Sequence, residues 1–500
     1  MVAPVTGSAL TAARRRDELA ALRSGATVDV LVVGGGITGV GVALDAASRG
    51  LSVALVERND LAAGTSRWSS KLAHGGLRYI AAGQLGVAWE SAVERNHLVR
   101  TIAPHLVQPM RFVIPALPGN SVVDRMAAHV GFGIADVLRW AARTPEILPK
   151  TQWMDPAQAR ALAPTLRPDL RGAFLHVDGA LEDDVRLVVA VARTAASHGA
   201  RIVTHCSAVE VTGSGARVED TMTGERFDVA ARSVIVAAGV WSGGLVSDVP
   251  LQPSKGAHVL IRPEALDNPV AAFNILVPGS RNRFVFAVPR PDGLVQIGLT
   301  DDAVDEVVDQ PQVTEDEERF LLDTLSSGLS RPLTSADVVG RFAGLRPLLG
   351  AATGGSGADI SRRHALLDRD GVVVIVGGKL TTYRRMAEDA VDRVARRLGH
   401  DRPSVTTTLP LVGAPGGVDA SGPDRLRRRF GAEAAAVAAC GPLEPVAPGL
   451  PALKCEVGWA VAAEGAVTAS DVEGRLRLDV VPAWREAARP YVDEVVSSIA

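Results

Sequence analysis

An α/β fold, α+β over the whole chain, is predicted by three features of the sequence. Residues 28–57 read as strand, glycine turn, helix and strand; residues 250–338 alternate apolar and polar positions; the tail beyond residue 416 is helical in pattern. In the first feature, an apolar strand over Val28 to Val33 runs into Gly34-x-Gly36-x-x-Gly39, which opens a helix ending at Gly50. A second apolar strand, Ser52 to Val56, stops at Glu57. Each part has a physical task in a dinucleotide-binding βαβ unit. Gly34 permits the tight turn, Gly36 lets the backbone approach a pyrophosphate, and Gly39 lets helix and strand pack closely. The helix N-terminus, with Ile37 and Thr38 in its first turn, presents N–H groups and partial positive charge to that pyrophosphate. Glu57, followed by Arg58, can accept hydrogen bonds from a ribose diol, which favours FAD or NAD over NADP.

The alternating region, for example Ala257 to Ile261 and Arg283 to Leu299, has the pattern of an antiparallel sheet with one wet face. Between the two lies an aperiodic, glycine-punctuated stretch over 58–80, of a length that in a compact fold is usually functional. A helix is predicted from Leu85 to Arg100, with Leu85, Ala88, Trp89, Ala92 and Val93 on one face. From Pro104 to about Asp178 rising proline density marks an inserted second unit. Asp183 to His198 is predicted helical, Arg201 to Val211 a strand, and Ala231 to Trp241 a buried strand ending in a small-residue turn. Gly371 to Val376 repeats the opening design: a strand, Gly377-Gly378, then a helix through Arg397. A Pro- and Thr-rich linker over 401–415 precedes the helical tail, where Thr468-x-x-Asp471 forms a helix-start signature.

Five hundred residues exceed one ordinary core, so two or three packed units are expected. A net charge of −3 argues against a nucleic-acid binder relying on general basicity. The cysteines Cys206, Cys440 and Cys455 are scattered without a CxxC, which supports neither a disulfide framework nor a metal site and suits a reducing cytosol. No apolar run of signal-peptide type precedes the first strand, where Arg14-Arg15-Arg16 belongs to a flexible or helical leader, and no run of about 18 apolar residues could span a bilayer.

Five motifs in order carry a resemblance: residues 64–79 (Gly-Thr-Ser-Arg-Trp-Ser-Ser-Lys-Leu-Ala-His-Gly-Gly-Leu-Arg-Tyr), 253–258 (Pro-Ser-Lys-Gly-Ala-His), 344–348 (Gly-Leu-Arg-Pro-Leu), 360–364 (Ile-Ser-Arg-Arg-His) and 377–384 (Gly-Gly-Lys-Leu-Thr-Thr-Tyr-Arg). Together they resemble the signatures of the FAD-dependent glycerol-3-phosphate dehydrogenases over residues 28–500. The resemblance implies a D-amino-acid-oxidase-type body over 28–400. Its FAD-binding domain would be discontinuous (about 28–103, 179–249 and 339–400), with an antiparallel-sheet substrate domain (about 104–178 and 250–338). A helical domain over 416–500 would follow the linker. It further implies oxidation of sn-glycerol 3-phosphate to dihydroxyacetone phosphate, with electrons passing to a quinone. Trp68 and Ala287-Val288-Pro289 depart from common versions of these motifs, which bears on fine substrate preference.

The chemistry narrows the residues. Planar guanidinium groups bind a phosphate bidentately, which points to Arg346 and Arg362. His258 is the first choice to accept the hydroxyl proton, and His74, a residue on the flavin side, the second. Lys379, after Gly377-Gly378, is expected near the flavin's pyrimidine edge, with Leu380 and Thr381 beside it. Lys255 joins the candidates, although strand alternation puts Lys255 and His258 on opposite faces unless Gly256 forms a bulge. Thr65, Ser66, Ser70, Lys71, Leu72, Gly75, Gly76, Ala238 and Gly239 complete the expected cofactor contacts. Arginine runs at 425 and 427–429 and at 393, 396 and 397 raise contact with an anionic membrane face, on the cytoplasmic side, as an expectation; a homodimer is another. The rival readings are an oxygen-using glycerol-3-phosphate oxidase, an amino-acid-type flavin oxidase and a non-catalytic flavoprotein.

Overall fold

A computed structural model describes residues 7–75, 84–118, 148–280, 283–350, 364–414 and 423–498, with a few positions between 131 and 141. The expected βαβ unit forms with strands Val28–Val33 and Val53–Val56 flanking helix Ile37–Ser48. Strand Val28–Val33 lies mid-sheet, parallel to Val53–Val56 on one side and to Glu225–Val236 on the other. The sheet extends through Arg201–Val203 at one edge and through Val372–Gly377 and His364–Arg369 at the other; of these strands the last runs antiparallel, as does Gly215–Asp220 where it pairs with Glu225–Val236. Strands this central are apolar on both faces because both faces are covered. Helices Ile37–Ser48, Asp184–Ser197 and Tyr383–Leu398 cover one face. Helix Ala12–Arg23, through Leu19 and Leu22, packs with the hairpin strands Cys206–Thr212 and Gly215–Asp220 on the other. The predicted strand 201–211 is thus two strands, turned at His205, whose φ is +52°.

A second, largely antiparallel sheet runs in the order Asp302–Ala303, Ser254–Ile261, Val295–Gly298, Phe284–Pro289, Ala272–Leu276, Val107–Pro115, Ala173–Leu181 and Leu72–Ala73. Strand Val338–Arg346 pairs along the whole of Ser254–Ile261. Residues 338–346 and 173–181 therefore share one sheet with 250–338. The sheet curls: Ser70, two residues before the strand at one edge, touches His258 near the opposite edge.

Residues 401–414 do not behave as a loose linker. Thr406 and Leu411 are buried, and the Leu411 N–H donates to Ile102 O. The tail forms helices Asp424–Phe430, Lys454–Ala462, Ala469–Leu476 and Pro482–Ser497, with Thr468 and Asp471 in the expected capping box.

Candidate functional site

A cavity of ≈ 2000 Å³ is lined by residues of both sheets, the glycine turn and the curled second sheet among them. Gly34 turns the chain at φ +114°, and a Cβ on Gly39 would lie 1.9 Å from Gly34 O, so only glycine permits this approach of helix to strand. Gly36 caps helix Ile37–Ser48 with no side-chain hydrogen bond, and Gly34, Gly36, Ile37 and Thr38 border the cavity. A helix N-terminus open to a cavity suits a pyrophosphate. The Ile37 N–H donates to Ser66 Oγ at 2.9 Å, and Thr65 Oγ1 donates to Leu345 O at 2.5 Å, so this turn ties the first sheet's helix to the second sheet. Glu57 accepts from the Gly35 N–H (2.5 Å) and the Asn59 N–H (2.9 Å). Its burial pushes the carboxyl above the ordinary range, against the pull of those two donors. Arg58 pairs with Asp309 and lies over the Trp241 ring; Ala238 and Gly239 border the cavity from the end of Glu225–Val236.

In the second sheet, strand Ser254–Ile261 is regular through Gly256, its one register shift falling between Leu260 and Ile261. Alternation therefore holds: Ser254, Gly256 and His258 share a face, with Gly256 and His258 bordering the cavity. His258 Nε2 lies 3.1 Å from Ser70 Oγ, and the ring stacks on its cross-strand partner Phe342 at 4.7 Å. Burial, and then the charges of Arg346, Lys71 and Arg477, hold the imidazole well below its ordinary pKa, so it is neutral near pH 7. Arg346, opposite Ser254, lies flat on Gly256: a Cβ there would meet the guanidinium at 2.0 Å. Ser254 Oγ (3.0 Å), Asp301 (3.0 Å) and Thr300 O (3.1 Å) accept from Arg346, whose side chain is 28% exposed and borders the cavity. Gly256, under the guanidinium, lies two residues along the strand from His258, a backbone spacing of ~7 Å at the usual rise.

Gly378, Lys379, Leu380 and Thr381 also line the wall, and Lys379 Nζ donates to Ser91 Oγ at 2.6 Å. Leu72 and His74 border the cavity as well. The Gly75 N–H donates to the Asp178 carboxylate at 3.0–3.1 Å, and Arg95 clamps the same carboxylate at 2.5 Å. Burial would raise the Asp178 carboxyl, yet Arg95, His176 and His74 hold it well below the usual range. Sequence reasoning missed Asp178, Arg95 and Ser91. The signal for Asp178 was present: His176 and Asp178 occupy alternate positions in the otherwise apolar run Ala173–Leu181.

Two expected site residues face elsewhere. Lys255 lies on the far side of its strand and pairs with Glu317 at 3.0 Å, because Gly256 makes no bulge. Lys71, at φ +56° and 1% exposed, turns inward to pair with Asp184 at 2.8 Å; burial lowers its ammonium to about 8 despite that carboxylate. Gly76 and Arg362 lie outside the described residues. Both arginine runs are largely matched by carboxylates. Arg429 is buried between Asp183 (2.9 Å) and Glu456 (3.0 Å), Arg425 pairs with Glu456, Arg427 and Arg428 with Asp424, and Arg393 and Arg397 with Asp368. Among the described residues no helix is long and apolar enough to cross a membrane.

A glycine-turn helix end, a histidine and an arginine lining one cavity between two sheets mark the class of dinucleotide-dependent oxidoreductases. The family model for FAD dependent oxidoreductases matches residues 29–393. Glycerol-3-phosphate dehydrogenase 1 of Mycobacterium tuberculosis is 48% identical, over 98% of this chain and 99% of that protein. The aerobic glycerol-3-phosphate dehydrogenase of Staphylococcus aureus is 33% identical over 75% of this chain and 68% of its own length. Among solved structures, the glycerol-3-phosphate dehydrogenase of Bacillus halodurans complexed with FAD superposes with a TM-score of 0.73 at 27% identity, covering 97% of this chain and 94% of that one. The chain belongs to the FAD-dependent glycerol-3-phosphate dehydrogenase family. FAD is its cofactor, and the open helix end, Glu57 and the clear cavity between the sheets fit it.

Proposed function

We propose that this chain oxidises sn-glycerol 3-phosphate to dihydroxyacetone phosphate and passes the electrons to a quinone. One observation carries the reading: Arg346 and a neutral His258 lie on one face of one strand pair, and both border the cavity. Arg346, with Arg362 as its partner, binds the substrate phosphate; Ser254 and Asp301 fix the plane of the Arg346 guanidinium. His258 takes the hydroxyl proton at Nε2, the nitrogen beside Ser70 Oγ; its Nδ1 is enclosed. FAD, when bound, supplies the hydride acceptor. The first turn of helix Ile37–Ser48 holds its pyrophosphate and Glu57 its ribose, while Lys379, steadied by Ser91, sets positive charge beside the ring system. The names of the relatives support glycerol 3-phosphate as substrate, and the quinone is the acceptor that the sequence motifs imply.

The test is anaerobic stopped-flow mixing of the FAD-loaded protein with glycerol 3-phosphate, glycerol and D-amino acids. Flavin bleaching by glycerol 3-phosphate alone is expected; bleaching by a D-amino acid instead would overturn the substrate. Reoxidation by a quinone analogue without stoichiometric hydrogen peroxide is expected, and full peroxide yield in air would replace the quinone with oxygen.

A further inference from the structure

Two turns that line the cavity beside the glycine turn are both anchored by residues more than 400 positions later. The first follows Glu57 and carries Asp60. Its buried carboxylate is gripped by Arg475 of helix Ala469–Leu476, with Nε donating to Asp60 at 2.8 Å and a second bond from Nη2. Arg475 Nη1 also donates to Glu464 O, which fixes the guanidinium against its own domain. The second turn, Thr65–Arg67, presents Ser66 to the helix N-terminus. Its Arg67 lies against Gly474, where a Cβ would meet the guanidinium at 2.9 Å, and forks onto the Asp479 carboxylate at 2.6 and 2.7 Å. Asp471 and Gly474 border the cavity themselves.

We infer that the C-terminal helical region is a working part of the cofactor site: Arg475 and Asp479, through Asp60 and Arg67, position the two turns that receive the nucleotide. Docking of residues 424–498 and FAD binding then stabilise one another, because each favours the same arrangement of those turns. Arg475 is a positioning residue, since it reaches the cofactor only through Asp60. The inference rests on FAD as cofactor and not on which alcohol is oxidised.

The experiment pairs two measurements on the full chain. In the first, hydrogen exchange is compared with and without FAD in helix Lys454–Ala462, none of whose residues borders the cavity. Slower exchange of these amides when FAD is bound is expected; identical exchange in the two states would overturn the inference. In the second, FAD affinity is titrated for wild type, Arg475→Met, Asp60→Asn and the double variant. Each single change is expected to raise the FAD Kd about tenfold or more, with the double change less than the product of the two. An unchanged Kd in a folded Arg475→Met protein would overturn it. If Arg475→Met does not fold, Arg67→Gln, at the partly exposed second anchor, takes its place with the same expected direction and the same overturning result. Substrate specificity is read separately, by flavin bleaching, so a failure here is distinct from a failure of the proposed reaction.

Discussion

The wall built on Val28–Val33 meets the cavity mainly with backbone, whereas the wall built on Ser254–Ile261 meets it with side chains. On the first, a glycine turn and helix end do the binding, and those residues are contiguous in sequence, although the turns beside them are anchored from the C-terminal helices. On the second, His258, Arg346 and Ser70 converge from segments up to 276 positions apart, and their meeting depends on strand register and on the curl of the sheet. A backbone site is specified by local conformation; a side-chain site is specified by pairing.

That contrast can be broken at several strengths. The largest effect is expected from Gly39→Ala, whose methyl group would collide with Gly34 O; the protein should purify without FAD or fail to fold. A yellow, stable Gly39→Ala protein would show that the close approach is dispensable. Next, His258→Gln should keep FAD but slow flavin reduction roughly 10²–10⁴-fold, the usual contribution of a general base. The pH profile sharpens this. Because burial and neighbouring cations depress the His258 pKa, the free base persists below pH 6.5, and kcat/KM should fall only as pH drops through that lower value. His258→Gln should abolish that limb, and a limb that survives in the variant would assign it to another group. Arg346→Ala should raise the glycerol 3-phosphate KM roughly 10–100-fold with FAD retained, the loss of one charge-assisted contact. Smallest is Lys255→Ala, which should leave KM within about twofold, since Lys255 faces Glu317 and not the cavity. A large KM change there would mean the strand register differs in solution.

The same division governs what could be read before the structure. The βαβ unit was legible almost to the residue, because glycine spacing and apolar runs are local signals. The alternation of Lys255 and His258 was legible too, and it was the regular strand, not a bulge at Gly256, that separated them. Lys71 misled because its motif surrounds it with site residues, while its positive φ turns the side chain inward to Asp184, a partner 113 positions away that no local pattern announces. For Asp178 the polar alternation with His176 was there to read; what no local pattern announced was its partner Arg95, 83 positions earlier. The stretch 401–415 looked like a linker from its proline and threonine, but its hydroxyls satisfy the buried Asp45 and its leucines fill the core beneath helix Ile37–Ser48. The anchoring of the tail by Arg475 and Arg67 was invisible for want of any local signal.

The most direct measurement is single-turnover flavin reduction by glycerol 3-phosphate under anaerobic conditions, wild type beside Arg346→Ala. The expected result is saturable bleaching in wild type and a half-saturation concentration raised roughly 10–100-fold in the variant, with FAD fully bound in both. No bleaching of a fully loaded wild-type protein, or identical saturation curves for the two, would contradict the claim that this cavity holds a phosphorylated alcohol against FAD.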